Sequence, residues 1–287
     1  MFEHYYGFKC KPFSLTPDPQ FFYLSPDHIE AIEHLVYGIS DGEGFLLLVG
    51  EIGTGKTTLS RVLTQKLNPS IIYSLILNPF QDFPTLLKSI ITDFGLTPIS
   101  TDKSQLIDQL IRFLLDEIGP KGKTALIIID EAQNLSVETL EQLRIISNIE
   151  TNNEKLLQFL LLGQEELAIK LESQELRQLN QRISVRYFLS PLNKEETLKY
   201  IHHRIKIAQP EKKIEFTNAA VREIFKFSKG IPRLINMIAN RCLIAGFVGE
   251  SSSIDRAMVK RAKESLYGEK FKTIKKIKYK KNIMENS

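Results

Sequence analysis

Eight residues, Gly50-Glu51-Ile52-Gly53-Thr54-Gly55-Lys56-Thr57, follow directly on the apolar run Phe45–Val49 and open a stretch with helical spacing. The pattern is G-x-x-x-x-G-K-[ST] in the order strand, loop, helix. Glycines at these intervals let the backbone curl until successive N–H groups converge, and the next helix sets the positive end of its dipole behind them. A turn of this kind binds phosphate. Gly50 to Thr58 then form the cradle of a nucleoside triphosphate, with Lys56 reaching the β- and γ-phosphates and the Thr57 hydroxyl ligating Mg²⁺.

A loop of this kind sits at the carboxyl edge of a parallel sheet, and the rest of the chain supplies one. Short apolar runs at 45–49, 71–77, 125–129, 156–162 and 185–189 alternate with amphipathic stretches. Helices are expected at 25–42, 56–67, 82–94, 104–118, 136–152 and 165–181. Buried strands alternating with helices imply an α/β fold, a parallel sheet covered on both faces. The run Ala125–Ile129 ends in Asp130 and Glu131, so both carboxylates fall at the edge where ligands of such sheets bind. Asp130 is expected to hold the Mg²⁺ shell, and Glu131 to orient and polarise the water attacking the γ-phosphate. The adjacent pair favours a hydrolase over a kinase, which has no evident use for the second acid.

After Pro191 the strand pattern stops. Asn193 with Glu196 reads as a capping box opening a helix to about Ala208, Thr217 caps another to Lys229, Pro232 begins a third, and 254–267 is a fourth. This predicts a small all-helical second domain at 192–267 behind an α/β domain at 25–191. Residues 1–24 are dense in aromatics and prolines and read as an irregular arm that packs onto the body, against a sheet edge or lining a base pocket.

The net charge of +4 is a property of one segment: between Lys270 and Lys281 stand seven lysines and no acid, and without them the balance is −3. Residues 268–287 form a lysine-rich tail that meets solvent, an anionic membrane surface or DNA. Cys10 and Cys242 offer neither a disulfide framework nor a metal pattern, and the adjacent His202 and His203 point about 100° apart on a helix. No apolar run is long enough to span a bilayer, and the opening residues carry no basic or apolar signal region, so a cytoplasmic location is expected.

Asp-Glu-Ala-Gln at 130–133 and the helical second domain resemble the AAA+ ATPases. More narrowly, several stretches resemble the general secretion pathway protein A family and its pilus- and exopolysaccharide-associated relatives. They are Tyr6-Gly-Phe, Pro12-Phe, Pro17-Asp-Pro, Tyr23-Leu-Ser, the phosphate loop, Leu161-Leu-Gly-Gln-Glu-Glu-Leu, Leu176-Arg-Gln-Leu-Asn-Gln-Arg-Ile and Gly230-Ile-Pro-Arg-Leu-Ile-Asn. The resemblance implies a P-loop ATPase that uses ATP and Mg²⁺, self-assembles into a homo-oligomer and drives an envelope-complex partner (secretion, pilus or polysaccharide export) from the cytoplasm or the inner-membrane surface. It assigns Gln164 to the sensor-1 position, Arg182 or Arg186 to an arginine finger reaching a neighbouring subunit, and Arg233 to the sensor-2 position, where it is expected to contact phosphate. In longer members of that family a membrane span and a periplasmic domain follow; the sequence stops short of both, which weakens the expectation of envelope anchoring. The alternatives are a DNA-associated regulator of transposition or replication-initiation type and a slow nucleotide-dependent signalling switch.

Overall fold

The computed structural model describes residues 2–16, 18–77, 79, 82–149 and 155–266. The lysine-rich tail expected at 268–287 lies outside the described residues. The chain divides into two compact units, Leu24–Ser190 and a second one that joins the residues up to Tyr23 with those from Pro191 onward.

The first unit holds five parallel strands: β1 (Phe45–Gly50), β2 (Ile71–Ile76), β3 (Thr124–Ile129), β4 (Leu157–Gly163) and β5 (Ile183–Leu189). Their spatial order is β2-β3-β4-β1-β5. The three central strands are apolar along nearly their whole length because helices cover both faces, whereas β5 at one edge alternates buried and exposed. Phe45 lies opposite Phe159 in register, and their stacked rings, 4.9 Å apart, seal the end of the sheet away from the loop. The order has one decisive consequence: β4 runs between β1 and β3, with Val49 opposite Gly163 and Ile129 opposite Leu161. The residues following β4 therefore emerge between the glycine loop and the two acids.

Four helices of this unit start where side-chain caps dictate. Ser25 caps Pro26–Ser40 with proline in its first turn, Asp82 caps Phe83–Asp93, Asp102 caps Lys103–Arg112 and Ser136 caps Val137–Ile146. Three of the expected helices are shorter or broken. The one read as 104–118 turns π-helical over Phe113–Ile118. The one expected to reach 152 ends at Ile146, where the Ser147 hydroxyl donates back to the Arg144 carbonyl (2.7 Å). The stretch 165–181 splits into Glu165–Leu171 and Arg177–Gln181, because an unbroken helix would carry Leu176 about 140° away from Leu171. The break returns Leu176 and Leu179 to the core, where both are fully buried.

The second unit is built on helices Lys194–Ala208, Asn218–Ser228 and Pro232–Val248 and on helical residues 256–266. Asn193 and Glu196 form the reciprocal capping box that the sequence indicates. This unit is not all-helical: Glu215–Phe216 and Ser253–Ile254 pair as a two-residue parallel ladder, so the last helix begins after Ile254. The N-terminal arm also departs from the expectation. It opens with a short helix, Phe2–Tyr6, and Tyr6, Phe8, Phe13 and Phe21 are buried in the apolar core of this helical unit, not at a sheet edge. Tyr6 donates its hydroxyl to the carbonyls of Leu243 (3.1 Å) and Ser251 (3.0 Å). Arg204, buried, binds the Pro12 carbonyl through Nε (2.5 Å) and the Ser14 carbonyl through Nη2 (3.3 Å). Aromatics with nowhere apolar to go on their own segment complete a small core that four helices alone leave open.

Candidate functional site

The loop after β1 has the backbone its glycines allow. Gly53 (φ 85°) and Gly55 (φ 110°) take left-handed conformations that side chains disfavour. Gly50 is required for another reason: a Cβ there would stand 2.8 Å from the Leu189 carbonyl oxygen of β5. Gly55 then caps helix Lys56–Thr64 without a side chain, which leaves the N-terminal amides of that helix directed at the loop. Glu51 and Ile52 are exposed on the crest, Thr54 is buried, and Thr58 is half-buried on the first helical turn.

Lys56 is buried, and its ammonium donates to the Gly50 (2.8 Å) and Glu51 (3.1 Å) carbonyls. Burial lowers its pKa, and the charges of Glu131, Asp130 and Glu166 oppose that shift. Asp130 is also buried. It accepts from the Thr57 hydroxyl through Oδ2 and from the Glu131 N–H through Oδ1 (2.9 Å). Burial raises its pKa against the Thr57 hydrogen bond and the charge of Lys56. A cation and a carboxylate, each desolvated and each served mainly by neutral dipoles, are set for a polyanion and a hard cation. The residues fit an Mg²⁺-nucleotide: a glycine loop with no room for a Cβ at Gly50, a buried ammonium, and paired hydroxyl and carboxylate oxygens.

Glu131 adopts a left-handed backbone (φ 52°), a conformation uncommon outside glycine and frequent where strain serves a site. Its Oε2 accepts from the Gln164 amide (3.0 Å) and from the Gln133 amide. Gln133 in turn accepts the Gln164 backbone N–H through Oε1 (3.2 Å), and Lys170 holds the carbonyls of Gln133 and Leu135 (2.5 and 2.8 Å). Gln164 thus stands beside the acid, as β4's place between β1 and β3 requires.

The arginines are engaged within the chain. Arg182 donates through Nη1 to the Arg144 carbonyl (3.3 Å), the Ser147 hydroxyl (3.1 Å) and Asn148 Oδ1 (2.5 Å), so it caps the C-terminal end of helix Val137–Ile146. Arg186, on β5, donates through Nη2 to the carbonyl (2.5 Å) and side-chain oxygen (2.7 Å) of Asn180. Both are exposed. Arg233 is exposed on the first turn of helix Pro232–Val248, in the other unit. Sequence reading passed over the side-chain roles of Gln133 and Lys170, and it missed His28, which the fold brings to Thr54. For Gln133 the signal was its place two residues after Glu131; for His28 the sequence carries none.

Loop, acids and strand order together define the class. Residues 39–171 match the family model described as an AAA domain. The α/β unit has the fold of a P-loop AAA domain. Solved structures with the same fold include the ORC2 protein of Aeropyrum pernix in its ADPNP-ADP complexes (TM-score 0.64, 17% identity, 89% of this chain and 71% of that one). Another is the Thermotoga maritima RuvB Holliday junction branch migration motor (TM-score 0.54, 18% identity, 86% and 73%). In sequence the chain is similar to General secretion pathway protein A of Aeromonas hydrophila, 44% identical over 255 residues. That alignment spans 88% of this chain and 46% of the relative, so the chain corresponds to somewhat under half of that protein. Among the described residues no helix is long and apolar enough to cross a membrane.

Proposed function

We propose that this chain binds ATP with Mg²⁺, hydrolyses it, and uses the cycle to assemble or remodel an envelope-associated machine of the secretion type. The observation that carries the reading is the hydrogen-bonded array at the ends of three adjacent strands: Lys56, the Thr57–Asp130 pair, and Glu131 held by Gln164. Lys56 exchanges its carbonyl partners for the β- and γ-phosphates. Thr57 and Asp130 would hold Mg²⁺, which would supply charge neutralisation for the transferred phosphoryl group. With Oε2 occupied by two amides, Glu131 takes the proton of the attacking water through its other oxygen. Gln164 fixes that carboxylate and reports the γ-phosphate position. Arg233 acts as the sensor-2 cation. Arg182 or Arg186 completes the site of a neighbouring copy, since a guanidinium pairs bidentately with phosphate oxygens and stays charged. In this proposal the homo-oligomer is formed in the cytoplasm or at the inner-membrane surface, and the 44% identity to a protein named for general secretion supports the pathway.

The test is the Mg²⁺-ATPase rate per subunit against protein concentration. A rate that rises with concentration and collapses in Arg182→Ala or Arg186→Ala supports sites completed between copies. A flat, arginine-independent rate would remove the oligomer. Lys56→Ala is expected to abolish ATP binding, and Glu131→Gln to keep binding while stopping turnover. Normal ATP affinity in the lysine variant would overturn the reading.

A further inference from the structure

His28 is buried at the third position of helix Pro26–Ser40, and both of its ring nitrogens are within hydrogen-bond distance of oxygens. Nε2 lies 3.2 Å from the Thr54 carbonyl and Nδ1 lies 2.5 Å from the Ser25 hydroxyl oxygen. A carbonyl can only accept, so Nε2 carries the proton; in the neutral ring Nδ1 then accepts from the Ser25 hydroxyl, which itself accepts the His28 backbone N–H (3.3 Å). The neighbouring Asp27 ties the same helix end to β5, accepting from the Tyr187 hydroxyl (2.9 Å) and the Ser190 N–H (2.7 Å). The imidazole thus projects from a helix terminus that is fixed independently of the loop.

Thr54 and Gly55 share one peptide unit, and in a trans peptide the C=O and N–H point in opposite directions. Holding the Thr54 carbonyl toward His28 turns the Gly55 N–H away from His28. Gly55 has no Cβ to restrict its φ, here 110°, so the orientation of that peptide rests on the contact made by the Thr54 carbonyl. Thr54 is further fixed by its own hydroxyl, which donates to the Glu51 carbonyl (2.9 Å).

We propose that His28 is a positioning residue of the phosphate site: as the Nε2–H tautomer it clamps the Thr54 carbonyl and so presets the Gly55 N–H toward a phosphate oxygen. The inference rests on the nucleotide-site reading above. The experiment measures Mg²⁺-ATP affinity by calorimetry in the full chain for the wild type and for His28→Ala, His28→Gln and His28→Asn, with thermal midpoints taken without nucleotide. Loss of one buried donor is expected to raise Kd about tenfold in the alanine variant. The glutamine amide reaches about as far as Nε2 and is expected to restore affinity to within about threefold; asparagine reaches only the δ position and is expected not to. Imidazole ¹⁵N shifts are expected to show the Nε2–H tautomer. Wild-type affinity in His28→Ala, or equal loss in the Gln and Asn variants, would overturn the clamp while leaving the ATP site standing. A wild type that binds no ATP would overturn both. Should the alanine variant fail to fold, the glutamine and asparagine pair carries the comparison.

Discussion

Replacing Arg204 by methionine keeps the aliphatic stem and removes the guanidinium that joins the N-terminal arm to the helical unit. Three acceptors lose their donor: the Pro12 carbonyl (2.5 Å), the Ser14 carbonyl (3.3 Å) and the Tyr200 hydroxyl (3.1 Å). The guanidinium carbon also lies 4.7 Å from the centre of the Phe21 ring. An orphaned carbonyl costs about 1–3 kcal/mol, and a desolvated cation–π contact about 2 kcal/mol. Against this stands the desolvation of the buried charge, several kcal/mol, which the variant no longer bears. All three acceptors are neutral, and the arm can rehydrate its carbonyls only by leaving the core, so the net loss is expected near 2 kcal/mol. For a unit of this size that lowers the midpoint by about 8–16 °C if the unit melts alone. The chain has no tryptophan, so unfolding is followed by circular dichroism. Arm release is followed by tryptic cleavage after the exposed Lys9. Arg204→Lys should recover less than half of the loss, because a point charge cannot span both carbonyls. An unchanged midpoint with unchanged arm cleavage in the methionine variant would mean that the aromatics alone hold the arm.

Gly50→Ala brings a Cβ to 2.8 Å from a β5 backbone oxygen and 3.2 Å from Thr54 Oγ1, so strand or loop must move. We expect ATP affinity to fall at least about tenfold with a stability loss of about 1–3 kcal/mol, measured by calorimetry and thermal melting; an unaltered Kd would refute the close approach. Burial pushes the Cys242 thiol up to about 12, whereas Cys10 is exposed. A thiol reagent at pH 8 should therefore modify one cysteine in the native protein and the second only on unfolding, and equal native rates would contradict the packing. Burial, with the charge of Arg204 next, holds the His203 pKa below the ordinary histidine value of 6.5. The unfolded chain therefore takes that proton first as pH falls: the contribution is complete above pH 6.5 and is lost on going down toward the lowered folded value. His203→Phe should narrow the gap between midpoints at pH 7.5 and 5.5; an equal gap in the variant would refute it.

The phosphate loop was legible because its chemistry is local. Glycine spacing, a preceding apolar run and a following helix are all features of neighbouring residues, and the same holds for the Asp130–Glu131 pair and for the caps at Ser25, Asp82, Asn193 and Thr217. Elements were misjudged where a distant contact overrode a local preference. The break at 172–176 exists because Leu176 and Leu179 have a core to reach. Helix Val137–Ile146 stops where Ser147 and Arg182 satisfy its last carbonyls, and Arg182 lies 35 residues beyond Ser147. The ladder between Glu215–Phe216 and Ser253–Ile254 is too short to leave a periodic signature.

By itself, then, the sequence determined a P-loop α/β unit, the local form of its phosphate loop and a helical companion, since each follows from spacing along a few turns of chain. Tertiary structure decided the rest. Only the strand order could insert β4 between β1 and β3 and so deliver Gln164 to Glu131. Only packing could send the aromatic arm into the helical unit, because burial rewards any apolar surface and the sequence does not say which one is left open. And only the fold could place His28 against Thr54, 26 residues further along, where a hydrogen bond depends on direction as well as proximity.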